Sequence, residues 1–107
     1  MARNQLQTLS EPMYFVLLAL TKPLHGYEIM QEVSLISRSR VTVGAGTLYA
    51  LLTRFEKDEI IHRVSDDGRR KTYTLTLKGR EFLDREYERL RESISAYENH
   101  FLRGEDE

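Results

Sequence analysis

The chain has 107 residues, a formal net charge of −1 and no cysteine. This length supplies one compact domain, and the lack of cysteine excludes disulfides, thiolate metal sites and cysteine nucleophiles. No apolar run follows a basic patch at the start, and the most apolar stretch, 13–20, is far shorter than the roughly 20 residues of a membrane span, so we expect a cytoplasmic protein without a targeting segment.

The first predicted element is a helix between Ser10 and the Lys22–Pro23 pair. Ser10 is a typical N-cap, and Pro12 suits the first turn, where its missing N–H would be unpaired in any case. Phe15 and Leu18 make the helix apolar nearly all round, which indicates burial on several sides. One face repeats at the helical spacing of three, four and seven: Met13, Val16, Leu17 and Leu20.

Two more helices follow. The second begins near Gly26, and its apolar face consists of Ile29, Met30, Val33 and Ile36. The polar run 37–40 is predicted to be a loop, and 41–43 a short extended piece. The third helix opens at 44–47 and ends near 58–59, with a core face of Leu48, Leu51, Leu52 and Phe55.

A hairpin comes next. The segments 60–64 and 71–76 are rich in β-branched and aromatic residues, and the Asp67–Gly68 pair between them is a strong hairpin signal. Three consecutive cations follow the pair: Arg69, Arg70 and Lys71.

The last element is a long helix from Thr76 or Leu77 to about Leu102. Its apolar residues have a period of 3.5, which is typical of helices that pair along one stripe: Leu83, Tyr87, Leu90, Ile94, Tyr97 and Phe101. The other faces are polar, so we predict that a second copy of the helix covers the stripe in a homodimer. The alternative is that the first helix alone covers it.

This order predicts an α+β fold, mainly α, in which a winged helix-turn-helix DNA-binding domain spans residues 9–76. A C-terminal dimerisation helix over 77–103 completes the same compact unit. In such a domain the third helix enters the major groove and the hairpin, or wing, lies beside it. We therefore expect double-stranded DNA as partner, bound by the dimer at an inverted-repeat operator.

The charge distribution and the outward residues support this interpretation. Residues 38–80 hold ten Lys and Arg against five Asp and Glu, whereas 81–107 hold four against nine, and a basic middle indicates a polyanionic partner. The alternative is that both charged regions are only solvated faces and that the turn is basic for solubility. The candidate DNA-contacting residues on the third helix are Gly46, Thr47, Tyr49, Ala50 and Thr53, and those on the wing are Arg69, Arg70 and Lys71.

Three motifs in this order resemble the PadR family: His25–Ile29, Gly46–Tyr49, and Arg69–Thr76 with Gly79. The resemblance covers about residues 9–83 and implies a cytoplasmic dimeric repressor, released in some members by a small aromatic or drug-like effector. It also implies that Tyr27, Gly46, Thr47 and Tyr49 face DNA. Packing of Tyr27 and Tyr49 in the core is the alternative.

The sequence departs from the family pattern at several positions. Gly44 stands at a usual Ser cap, Ala50 at a common Pro, and Thr53 at a common Lys or Arg. Glu59 replaces a common Gly, so we expect the third helix to end differently, because that position often needs a left-handed backbone.

The resemblance bears on a ligand site as well. Leu90 stands where drug-binding relatives have a tryptophan, and the chain has no Trp, so we expect no drug-stacking pore of that kind. A candidate ligand cavity is lined by Phe15, Phe82, Tyr87 and Leu90, unless these residues simply fill the dimer core.

Two other classes of function compete with this interpretation. An enzyme is not expected, because His25, His62 and His100 lie far apart and no phosphate-binding loop or nucleophile elbow occurs; we expect no metal and no cofactor. A winged helix used only for protein–protein contact is the alternative to DNA binding, since a fold does not fix a function.

Overall fold

The structure is a computed structural model that describes residues 9–104. The first helix, α1 (Glu11–Ala19), begins where the sequence predicts. The Ser10 hydroxyl accepts a hydrogen bond from the Met13 amide at 3.4 Å and so caps the helix. Just after α1, the Leu20 carbonyl accepts hydrogen bonds from the Leu75 amide at 3.0 Å and the Thr74 hydroxyl at 3.1 Å. The end of α1 is thereby fixed to a strand more than 50 residues further along the chain.

The remaining elements confirm the predicted order of helices and hairpin. They are β1 (Leu24–His25), α2 (Gly26–Ile36), α3 (Ala45–Lys57), β2 (Ile61–Asp66), β3 (Lys71–Leu75), α4 (Leu77–Tyr97) and a π-helical turn (Glu98–Leu102). The strands form one antiparallel sheet in the order β1-β3-β2. The fold is mainly helical, a winged helix-turn-helix with a long C-terminal helix.

The strand β1 was not predicted from the sequence. Its two residues, Leu24 and His25, pair with Tyr73 and Thr72 of β3. Two residues are too few to show alternation of apolar and polar side chains, so the period-2 signal of a strand is absent there.

The predicted extended piece at 41–43 is not a strand. Val41 and Val43 are buried and Thr42 is exposed, but the segment pairs with no strand among residues 9–104. Instead the buried Ser37 hydroxyl accepts from the Val41 amide at 3.0 Å and donates to the Val41 carbonyl at 3.1 Å. This local pairing satisfies the backbone that a sheet would otherwise satisfy.

The core lies between α1, α2, α3 and the sheet. Its largest fully buried side chains include Phe55, Leu17, Leu20, Ile29 and Leu48. The predicted core face of α2 is wrong at its last residue, because Ile36 and its neighbour Leu35 are exposed. The final turn of α2 therefore extends past the core. Met30 and Leu51 are only half-buried and pack against the core from its edge.

The expected change at the end of α3 is also wrong. Glu59 adopts the left-handed backbone, with φ of 62°, that glycine would supply more easily. The Ile60 amide donates to the Phe55 carbonyl at 2.9 Å and the Glu59 amide to the Glu56 carbonyl at 3.0 Å. These are the two bonds of a Schellman motif, so the helix end keeps its geometry despite a side chain whose left-handed conformation costs roughly 1–2 kcal/mol.

The long helix α4 begins beside the end of α3, next to Glu59 and Ile60. Its N-cap, Thr76, accepts from the Gly79 amide at 2.9 Å and donates its hydroxyl to the Glu59 carbonyl at 2.7 Å. The Thr76 amide donates to the Ile60 carbonyl at 3.0 Å. The predicted extent to about Leu102 is confirmed, although the final turn is π-helical. Because α4 projects beyond the core, the molecule measures 63 × 36 × 21 Å.

Two chemical features are absent from the part of the chain that the structure describes. Over residues 9–104, no helix combines the length and apolarity needed to cross a bilayer. The same residues contain no cluster of three His, Cys, Asp or Glu placed to hold a metal ion.

Gly79 allows α4 to approach the end of α3, and its replacement by alanine should destabilise the fold. A Cβ atom there would clash with the Ile60 carbonyl oxygen, a backbone atom that cannot easily move. We expect Gly79→Ala to cost about 1–3 kcal/mol of unfolding free energy, as overpacked sites do, measured by urea denaturation. Gly46→Ala is the matched control in the first turn of α3. Its Cβ would meet open space, so this variant should be neutral or more stable by up to about 1 kcal/mol. Equal midpoints for Gly79→Ala and wild type would contradict the role of Gly79.

Candidate nucleic-acid interface

The start of α3 is open to solvent. Gly44 is its N-cap, and Ala45, Gly46 and Thr47 of the first turn are all exposed. A Cβ added at Gly44 or Gly46 would meet nothing within 4 Å. The amides of this turn are therefore unobstructed, and a helix N-terminus with free amides favours an anion.

The outward face of α3 carries the predicted base-contacting residues. Tyr49, Ala50 and Thr53 are exposed, which rules out core packing for Tyr49. The Thr53 hydroxyl donates its proton to the Tyr49 carbonyl at 2.9 Å. The hydroxyl oxygen of Thr53 can therefore only accept a hydrogen bond on its solvent side. On the base edges of the major groove, the groups that can donate to it are the amino groups of adenine and cytosine.

The three residues Gly26, Tyr27 and Glu28 at the start of α2 have different surroundings. A Cβ at Gly26 would lie 2.5 Å from the Tyr49 hydroxyl oxygen, so Gly26 makes room for Tyr49 of α3. Tyr27 is 63% exposed. The Glu28 carboxylate accepts a hydrogen bond from the His25 amide at 3.0 Å and caps the helix. Two motifs that are distant in the sequence are therefore one packed unit.

Two aspartates hold the turn of the wing. Asp66 Oδ1 accepts from the Gly68 amide at 2.9 Å, and Asp67 Oδ1 accepts from the amides of Arg69 at 3.0 Å and Arg70 at 2.7 Å. Gly68 has a φ of 88°, which favours glycine. The predicted Asp-Gly turn is confirmed, and its carboxylates orient the backbone of the cationic residues.

These three regions meet around one groove. A cavity of about 470 Å³ lies between the start of α2, α3 and the wing. Five of the nine predicted DNA-contacting residues line it: Tyr27, Tyr49, Arg69, Arg70 and Lys71. The other four, Gly46, Thr47, Ala50 and Thr53, are exposed along α3 outside the groove.

The wing cations differ in their pairing. Over residues 9–104, no ion pair involves Arg69, Arg70 or Lys71, whereas Arg63 of β2 contacts Glu56 of α3 and Asp66 of the wing. The hydrogen bond to Glu56 is the main cause that raises the pKa of Arg63. Sequence reasoning missed Arg63 and Glu56, because nothing in their spacing of seven indicates a contact between a helix and a strand.

The predicted dimerisation stripe is mostly uncovered. Leu83 is buried at 8% exposure and Leu90 is half-buried, while the other members are more than half exposed: Tyr87, Ile94, Tyr97 and Phe101. Within residues 9–104, α1 therefore does not cover the C-terminal half of the stripe.

The candidate ligand cavity stays a prediction. Phe15 of α1 and Phe82 of α4 are half-buried and pack against the edge of the core. Leu90 is also half-buried, whereas Tyr87 is exposed.

Sequence reasoning also missed Glu86, which is buried on α4 and bonded to Arg89 at 2.6 and 3.0 Å. Arg89 holds the pKa of Glu86 below its ordinary value. One Glu among many on a polar helix gives no signal of burial.

The fold and this surface define a winged helix-turn-helix protein. The chain belongs to the PadR family: residues 16–85 match the sequence model of the Transcriptional regulator PadR-like family. It is therefore a transcriptional regulator.

Three known proteins show what the chain is similar to. An uncharacterised protein of Lysinibacillus sphaericus is 37% identical over 75% of this chain and 80% of its own length. A PadR-like transcription factor from Bacteroides fragilis is 34% identical, with a TM-score of 0.63 over 83% of this chain and 87% of that one. A PadR family transcription regulator from Clostridium difficile is 31% identical, with a TM-score of 0.63 over 84% and 97%.

The order of the wing turn should depend on pH through Asp67. Hydrogen bonds from the Arg69 and Arg70 amides lower the pKa of Asp67 in the folded protein. The contribution of Asp67 to the stability of the turn is complete above the ordinary carboxyl pKa of about 3.9. This contribution is lost as the pH falls through the lower pKa that Asp67 has in the folded protein. Amide shifts of Arg69 and Arg70 in ¹⁵N NMR should therefore hold steady from neutral pH to about 4 and move below it. In Asp67→Asn, which keeps an acceptor but does not titrate, these shifts should not move; a transition that persists would contradict Asp67 as its source.

Proposed function

We propose that this regulator binds double-stranded DNA sequence-specifically as a homodimer and represses transcription from an inverted-repeat operator. The observation that carries the proposal is the convergence of Tyr27, Tyr49 and three wing cations, unpaired within residues 9–104, on one groove beside an open helix start. Tyrosine hydroxyls and cations are the groups that proteins use to hold phosphate oxygens.

The roles of the residues follow from their positions. Arg69, Arg70 and Lys71 would neutralise backbone phosphates beside the binding site. Ala50 and Thr53, on the outward face of α3, would meet base edges in the major groove, where a methyl group suits thymine and an acceptor oxygen suits adenine or cytosine. Thr47 and the exposed amide of Gly46 would approach a phosphate at the helix start.

Dimerisation would cover the exposed half of the stripe on α4. Tyr87, Ile94, Tyr97 and Phe101 are each more than half exposed, and burial of a large apolar side chain contributes about 1.5–3 kcal/mol when complete. A symmetric pair of α4 helices uses the same stripe on both copies. The dimer would place two α3 helices in successive major grooves about 34 Å apart.

The repressor role rests on family membership. A small-molecule effector would act where α1 and α4 meet, at Phe15, Phe82, Tyr87 and Leu90, by changing the angle between the subunits. The residues 9–76 and 77–103 would then act as DNA-binding and dimerisation parts of one unit.

Selection of random duplex DNA on the purified protein tests the proposal directly. We expect enrichment of a two-fold symmetric site whose affinity falls steeply with salt. Replacement of both Arg69 and Arg70 by alanine should reduce the slope of log affinity against log salt by about 0.9 for each phosphate that is no longer neutralised, without changing the unfolding midpoint. The control replaces Lys78 and Arg85 of α4, two exposed cations outside the groove, and should leave most of the slope. Absence of any enriched site would favour the protein–protein contact module instead.

The dimer is tested by Ile94→Asp. Ile94 is 59% exposed within one subunit, so the charge should not disturb folding of that subunit, but it would be buried and unpaired between two copies. We expect light scattering to show the mass of one chain and duplex affinity to fall by roughly tenfold or more, because the two half-sites are no longer bound by one linked molecule. Ser95→Asp, on the polar face of the same helix, should remain dimeric. An Ile94→Asp protein of unchanged mass would show that the stripe is not the interface.

A further inference from the structure

We infer that Glu56, Arg63 and Asp66 form a clamp that fixes the wing relative to α3 and thereby selects which phosphates the wing cations reach. In this inference Arg63 is a positioning residue and not a phosphate ligand. The inference rests on the DNA-binding role proposed above.

The guanidinium of Arg63 is engaged by two carboxylates from two elements. Its Nε lies 2.9 Å from Glu56 Oε2 and its Nη2 lies 3.4 Å from Glu56 Oε1, which makes a two-pronged contact with α3. Its Nη1 lies 3.2 Å from Asp66 Oδ2 in the wing. Exposed ion pairs usually contribute little, but a two-pronged arginine within a network is the geometry that fixes orientation.

An irregularity in β2 makes this contact feasible. In a regular strand, residues 63 and 66 would point to opposite faces, because side chains alternate. Here Arg63 pairs with Tyr73 and Asp66 pairs with Lys71. The step from Arg63 to Asp66 is three residues along β2, whereas the step between their partners is two residues along β3, so β2 contains one extra residue. Val64 is the extra residue of a β-bulge, which places Arg63 and Asp66 on the same face of the sheet as Tyr73 and Lys71.

The clamp continues into the wing tip. The second oxygen of Asp66, Oδ1, accepts the hydrogen bond from the Gly68 amide at 2.9 Å. Glu56 of α3 is therefore joined through Arg63 and Asp66 to the residue that precedes Arg69. A shift of the wing relative to α3 must break at least one of these bonds.

Direct binding of phosphate by Arg63 is the competing role, and the two roles predict opposite signs for Glu56→Gln. If Arg63 positions the wing, loss of the Glu56 charge releases it, and the slope of log affinity against log salt falls by about 0.9 for each phosphate that the wing cations no longer neutralise. If Arg63 binds phosphate, removal of the competing carboxylate frees it, and both affinity and slope rise. Glu88→Gln, an exposed carboxylate on α4 with no ion pair among residues 9–104, controls for the change in net charge.

The experiment measures binding of the selected duplex between low and moderate salt for wild type, Glu56→Gln, Glu88→Gln and Arg63→Lys. We expect a reduced slope for Glu56→Gln, an undiminished slope for Glu88→Gln, and a reduced slope for Arg63→Lys, because lysine keeps the charge but lacks the planar fork. A raised slope in Glu56→Gln, or an unchanged one in Arg63→Lys, overturns the clamp.

A measurement without DNA separates the clamp from the proposed function. ¹⁵N relaxation reports backbone order on the ps–ns timescale, and the Gly68 and Arg69 amides should become more mobile in Glu56→Gln than in Glu88→Gln. Equal mobility in the two variants overturns the clamp even if DNA binds. A wild-type protein that binds no duplex, with mobility changing as expected, defeats the DNA-binding proposal and leaves the clamp intact.

Discussion

The arrangement of the molecule depends on the close approach of the first turn of α4 to the end of α3. Gly79 lies so near the Ile60 carbonyl that a methyl group cannot fit, and Thr76 bonds to the carbonyls of Glu59 and Ile60 while capping α4. The helix that carries the outward apolar stripe is therefore joined directly to the end of the helix that carries the candidate base contacts. If two copies pair through α4 as proposed, a change in the angle between their α4 helices would be passed to α3 through this junction.

The same junction explains why Glu59 is tolerated in a left-handed conformation. Its carbonyl is the acceptor for the Thr76 hydroxyl, and its amide completes the Schellman motif. The strain at one residue is offset by bonds from both flanking segments, as strained residues in overdetermined surroundings generally are. A departure from the family pattern in the sequence thus coexists with the left-handed backbone at Glu59.

Sequence patterns predicted the elements whose signals are periodic or local. The Ser10 cap, the Asp67–Gly68 turn and the long helix α4 were each predicted from neighbours along the chain, and these three elements agree with the structure. The strand β1 depends on pairing with β3, far along the chain, and the contact of Glu56 with Arg63 depends on how α3 packs against β2. The burial of Glu86 has no local signal, because Glu86 is one of many charged residues on α4. The candidate interface shows the same division: its nine predicted residues are exposed, but the packing of Tyr49 on Gly26, which brings two motifs together, required the three-dimensional structure.

The bulge at Val64 has a consequence for how copies of this protein meet. The sheet order leaves β2 as its long edge, and an exposed strand edge offers unpaired backbone groups to any other strand in solution. Val64 interrupts the even spacing of those groups, and the neighbouring Arg63 and Asp66 surround it with charge, so a second sheet cannot extend the ladder in register. The opposite edge, β1, is only two residues long. Self-association through the sheets is thereby discouraged, which agrees with the proposal that two copies pair through the apolar stripe on α4.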